Sequence, residues 1–103
     1  MRLRDYKTDL LMKLREPEFA AEYLTQTLAE KDPEAFLIAL RDVVEATGGV
    51  GELAGKVSLK RASLYRILSA KGNPTVTTLQ QLLEPLGLRM AVGLSVPSSA
   101  LVP

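Results

Sequence analysis

The stretch Val50–Gly87, VGELAGKVSLKRASLYRILSAKGNPTVTTLQQLLEPLG, decides the fold. It reads as a short helix over Val50–Lys56, a tight turn, a basic helix over Arg61–Ser69, and a third helix capped by Thr75. Leu53 and Ala54 on the first helix, with Leu64 and Ile67 on the second, have the spacing of a helix-turn-helix. Ala54 is small enough for the two helices to approach closely, and Leu53, Leu64 and Ile67 meet in one core. That leaves Lys60, Arg61, Ala62, Ser63 and Arg66 on the outside. A short cationic helix with small and basic residues on its leading face suits a DNA major groove.

The charge pattern supports this reading independently of any motif. Residues 1–49 hold seven Lys/Arg against ten Asp/Glu, whereas residues 50–72 hold five (Lys56, Lys60, Arg61, Arg66, Lys71) against Glu52 alone. A total of +1 therefore hides an acidic half and a basic island. Clustered positive charge is the footprint expected for a polyanion.

Composition removes several classes. The chain of 103 residues has no cysteine and no histidine, so disulfides, thiolate nucleophiles, the usual imidazole base and the commonest zinc ligands are all missing. No catalytic residue, metal or cofactor is expected. The apolar runs are too short for a membrane span and the N-terminus lacks a signal-peptide core. A single-domain cytoplasmic binding protein is the class that remains.

Outside Val50–Gly87 the reading is also helical. Thr8 is placed as the cap of a helix over Asp9–Arg15 with Leu10, Leu11 and Leu14 inward. Pro17 opens the next helix, with Phe19, Ala20, Tyr23, Leu24, Thr27 and Leu28 as its buried stripe. Asp32-Pro33-Glu34 repeats the device, and Phe36, Leu37, Leu40, Val43 and Val44 follow before Gly48-Gly49 stops the helix. Lys71-Gly72-Asn73-Pro74 is a turn in which Gly72 tolerates positive φ. Val76, Leu79, Leu82, Leu83 and Leu86 form the last stripe, which Pro85 shortens and Gly87 ends. Residues 88–96 are β-prone and read as a short C-terminal strand and dimer contact, and residues 97–103 as a flexible tail. The organisation expected is a helical extension over 1–49, a DNA-binding unit over 50–87, and the strand.

These residues carry a family resemblance. DPEAFLIALRDVVEATGGVGELAG, KRASLYRILSAKGNPTVTTLQQLLEPLGLRM and the upstream EPEFAAEYLTQTLAEKDP resemble the addiction-module antidote proteins, HigA-like antitoxins of the Xre/Cro-type helix-turn-helix group. The resemblance spans about Tyr6–Val92, and SLYRILS with GNPTVTTL is its most specific part. It implies an all-α, lambda-repressor-like bundle that binds operator DNA as a homodimer, represses its own operon and neutralises a RelE/HigB-like toxin. Two positions depart from the family: Ser58 stands where a turn glycine is usual, and Lys60 where a serine N-cap is usual.

The residues assigned to DNA bases are Arg61, Ala62, Ser63 and Arg66. Those assigned to phosphates are Lys56, Lys60 and Lys71, with the N–H groups of Val50 and Gly51. Tyr65 is assigned to packing. Two alternatives stay open at this point: a stand-alone Xre-type repressor with no toxin partner, and a protein-interaction module that has lost DNA binding.

Overall fold

A computed structural model describes residues 3–69 and 71–95; for residues 3 and 4 it describes the backbone alone. Its elements are α1 (Leu3–Leu14), α2 (Pro17–Ala29), α3 (Pro33–Ala46), α4 (Gly49–Lys56), α5 (Arg61–Ile67) and α6 (Val76–Leu83), closed by a 3₁₀ turn over Glu84–Leu86. The architecture is all-α among the described residues. No helix there is long and apolar enough to cross a membrane.

Helix α3 is the hub, because its apolar residues form one broad face while Ile38, Arg41 and Glu45 lie exposed on the other side. Phe36, Leu37, Ala39, Leu40, Val43 and Val44 are all buried, and α1, α2 and α4 pack against it. Asp32 fixes its start, since Oδ1 accepts from the N–H groups of Glu34 at 3.1 Å and Ala35 at 3.2 Å. At its end the Thr47 hydroxyl donates to the Val43 carbonyl at 2.8 Å. Gly48 then turns the chain with φ +124°, and a side chain there would collide with that of Glu52. Leu14, Leu24, Leu53, Leu64, Leu68, Leu82 and Leu83 complete one continuous core, with Ala54 and Ile67 partly buried against it.

Helix α1 differs from the sequence expectation. It begins at Leu3, so Thr8 lies inside the helix and not at its N-cap. Residues 3–8 contain no breaker, and Asp5 in the first turn complements the dipole. Two side chains of the expected stripes are also out of place. Leu28 is 56% exposed and Val76 60%, each at an end of its helix where the neighbouring element no longer covers it.

The expected C-terminal strand is absent. Residues 88–95 form neither strand nor helix, and none of the described residues is in a strand. A strand needs a second strand to satisfy its backbone, and the described residues supply none. Val96 and the expected tail over 97–103 lie outside the described residues. The end of α6 follows expectation: the α-helix stops at Leu83, Pro85 sits in the 3₁₀ turn, and Gly87 takes φ +77°.

Candidate nucleic-acid interface

Helices α4 and α5 are joined by residues 57–60 and pack directly on each other. None of these four residues adopts a positive φ. Ser58 thus stands in this turn without the left-handed conformation that favours glycine. The turn is held from inside instead, by Val57 and Leu59, both partly buried against the core. Lys60 occupies the N-cap of α5 in an extended conformation and makes no side-chain cap bond. The helix ends at Ile67, two residues before the expected Ser69, whose hydroxyl donates to the Arg66 carbonyl at 2.8 Å and closes the last turn.

Leu64 and Leu68 anchor α5 and are fully buried, at 0% and 1% exposure. Helical geometry then forces Arg61, Ala62, Tyr65 and Arg66 onto the opposite face, where all four are exposed, with Ser63 half-buried at the edge. Lys60 and Lys71 flank this face and are exposed as well. Gly72 keeps Lys71 close to the helix end: a Cβ there would overlap the Ile67 carbonyl. Gly72 has no positive φ, so close approach, and not a left-handed turn, explains this glycine.

The ion pairs among the described residues are Lys7–Glu45 and Lys56–Glu52, both at 3.4 Å. Lys60, Arg61, Arg66 and Lys71 therefore have no carboxylate partner there. Lys56 differs from the other predicted phosphate ligands, since Glu52 one turn back on α4 already holds its ammonium. Val50 is half-buried and Gly51 exposed at the start of α4, whose N-cap Gly48 makes no side-chain cap bond.

One contact was not legible as a site. The Arg61 guanidinium lies 6.0 Å from the centroid of the Tyr65 ring and beside Gly51, where an added Cβ would come within 3.3 Å of it. Arg61 is thereby held between the start of α4 and an aromatic face, a position that keeps it extended without a counter-ion. Tyr65, assigned to packing from sequence, is 47% exposed. Its four-residue spacing from Arg61 was the signal available, since residues i and i+4 share a helix face.

The acidic half is organised differently. The Tyr23 hydroxyl donates to Asp42 Oδ2 at 3.2 Å. Burial, with the nearby Asp42 charge, pushes the phenol up to about 12. Burial also raises the Asp42 carboxyl, and the Tyr23 hydrogen bond and Lys7 oppose that rise.

A family model described as a probable addiction module antidote protein matches residues 5–94. An uncharacterized protein of Haemophilus influenzae is 32% identical over 90 residues, which take in 87% of this chain and 90% of that one. No solved structure matches the chain.

Proposed function

This chain belongs to the family of probable addiction module antidote proteins, and from that premise we propose that it is a HigA-like antitoxin of the Xre type, which represses its own operon and neutralises a RelE/HigB-like toxin. Membership implies a cognate toxin as partner. The single observation that carries the DNA-binding part is the face of α5, where Arg61 and Arg66 stand exposed with no carboxylate partner among the described residues, flanked by Lys60 and Lys71.

In this reading α5 enters the major groove. Arg61 and Arg66 donate to guanine O6 and N7, Ala62 meets a thymine methyl, and Ser63 bonds a base or phosphate. Lys60 and Lys71 contact phosphates, and so do the N–H groups of Val50 and Gly51. Lys56 reaches phosphate only by leaving Glu52. One α5 covers a few base pairs, so operator recognition calls for a homodimer with its two α5 helices one DNA turn, ~34 Å, apart.

Fluorescence anisotropy of a duplex from the gene's own upstream region, beside a scrambled duplex and across a salt series, tests the repressor. The expected result is a preference for the upstream duplex and an affinity that falls steeply with salt. Equal weak binding to both duplexes would sink it and leave a protein-interaction module. The toxin arm is read separately, by co-expressing the neighbouring gene and scoring relief of growth arrest and co-purification.

A further inference from the structure

We propose that Tyr65 and Gly51 are positioning residues for DNA readout: together they form a slot that aims the Arg61 guanidinium before any duplex is bound. The inference rests on the DNA-binding reading of α5 and names what orients one of its two arginines.

The slot has two walls. Tyr65 stands one turn beyond Arg61 on α5, and its ring centroid lies 6.0 Å from the guanidinium carbon. That distance is within reach of the attraction between a cation and an aromatic face. The other wall is α4, where a Cβ added at Gly51 would come within 3.3 Å of Arg61 Cζ and Nη2 and 3.6 Å of Nε. The guanidinium thus lies along the bare backbone of Gly51, in space that a side chain would share. Gly51 has no positive φ, so its backbone conformation does not call for glycine and the neighbouring guanidinium does.

The core accounts for neither wall. Tyr65 is 47% exposed and Gly51 is exposed, and neither is among the residues packed in or against the buried cluster. Glycine inside a helix is also less favourable than alanine, so α4 carries it against its own propensity. Electrostatics alone would not hold Arg61 there. It opens α5 and lies beside the start of α4, both positive ends of helix dipoles, and no carboxylate pairs with it among the described residues. Those ends push the guanidinium outward, and the Tyr65 ring opposes the push.

Arg66 supplies the contrast within the same helix. One turn before it stands Ala62, and it makes no ring contact or ion pair among the described residues. A long side chain aimed in advance loses less rotamer freedom when its planar fork meets guanine O6 and N7. Arg61 therefore reads from a preset direction, whereas Arg66 is ordered only on binding.

A double-mutant cycle tests the inference, with fluorescence anisotropy giving the ratio of affinities for the upstream and scrambled duplexes. Tyr65→Leu removes the ring but keeps an apolar helix former. The ratio should fall about two- to fivefold, the worth of an exposed cation–π contact, while the scrambled-duplex affinity and its salt slope stay unchanged. Tyr65→Phe keeps the ring and should keep the ratio. Tyr65→Leu should add no loss in an Arg61→Ala background and its full loss in an Arg66→Ala background. Gly51→Ala should lower the ratio without lowering the urea midpoint, since alanine is the better helix former. A further readout needs no DNA: in the free protein, Tyr65→Leu should move the Arg61 Nε–H magnetic resonance signal and leave that of Arg66 in place.

An unmoved Arg61 signal overturns the slot, whatever the DNA result. An undiminished effect of Tyr65→Leu in the Arg61→Ala background overturns the positioning role, because Tyr65 then meets DNA itself. Weaker binding of both duplexes by Tyr65→Phe does the same and assigns the hydroxyl to a phosphate. In each of these cases the wild-type preference for the upstream duplex persists and the repressor reading stands. Absence of that preference in the wild type fails the repressor reading, and the positioning role falls with it.

Discussion

In the N-terminal half charges of both signs are interspersed, and several polar groups find partners within the chain: Lys7 pairs with Glu45, Tyr23 bonds Asp42, and Asp32 caps α3. On α5 the reverse holds, and Arg61 and Arg66 project from a helix whose opposite face is fully buried. The two regions share one core, so stability does not separate them. What separates them is the sign of the exposed charge: mixed in the first region, and of one sign and without a carboxylate partner among the described residues on α5. Satisfied charge holds the fold together, whereas unsatisfied charge of one sign raises the local potential and attracts an anionic partner. Substitutions in the first region should therefore be read by denaturation and those in the second by binding.

The largest break in that contrast is Arg61→Ala/Arg66→Ala. Each bidentate arginine–guanine pair contributes ~1–3 kcal/mol of discrimination, so the double variant should lose operator preference by two orders of magnitude or more. Its unfolding free energy should fall by no more than about 0.5–1 kcal/mol, the worth of the exposed Arg61–Tyr65 contact, because neither side chain packs in the core. A fall in the midpoint equal to the loss of binding would show that α5 is structural after all. Leu64→Ala, one position from the same face, should do the opposite. It deletes a side chain at 0% exposure and should cost ~2–5 kcal/mol of unfolding free energy.

Of intermediate size is Tyr23→Phe. Removing the hydroxyl leaves Asp42 short of a donor and should cost about 1 kcal/mol near neutral pH. Its pH signature is more specific. The folded state raises this phenol from its ordinary value to about 12, so folding retains a proton that the unfolded chain releases earlier. The resulting stability is complete below pH ~10 and is lost as pH rises toward 12. Urea melts at pH 9 and pH 11.5 should show a smaller alkaline loss for Tyr23→Phe than for wild type. Equal losses would remove Tyr23 from the account.

Much of this organisation was legible because it is encoded locally. Pro17, Asp32 and Thr75 start helices, Gly48 and Gly87 end them, and the three-four spacing of leucines in α3 and α6 marks the core faces. What sequence reasoning missed depends on contacts between distant residues. Periodicity places Leu28 on an apolar stripe, but only the end of the neighbouring helix decides whether it is covered. The β-prone alternation of residues 88–95 is real, yet strand formation requires a partner that no local pattern supplies. Gly51 reads as an ordinary helical glycine until the Arg61 guanidinium is seen beside it. The α5 face itself was foreseen, because burying Leu64 and Leu68 leaves Arg61 and Arg66 no other direction. The start of α1 was misplaced because Thr8 resembles a cap, and nothing in residues 3–7 stops a helix from continuing past it.

The smallest expected effect is at Glu52, the residue where the two regimes meet. It is the sole acid of the basic island. It pairs with Lys56 at 3.4 Å, with both side chains about half exposed, and it sits in the first turn of α4. Glu52→Gln should cost only a few tenths of a kcal/mol from the pair, and at most ~1 kcal/mol with the lost helix-dipole term. The same change frees Lys56 and removes the one negative charge in the first turn of α4. Affinity for DNA should therefore rise by a small factor, and the plot of log affinity against log salt should steepen by about one contact. A variant slightly less stable yet tighter on DNA is an outcome that a merely solvated surface charge does not produce. If stability falls and the salt slope stays fixed, Lys56 belongs with the satisfied charges of the N-terminal half. The boundary of the interface then lies at Lys60.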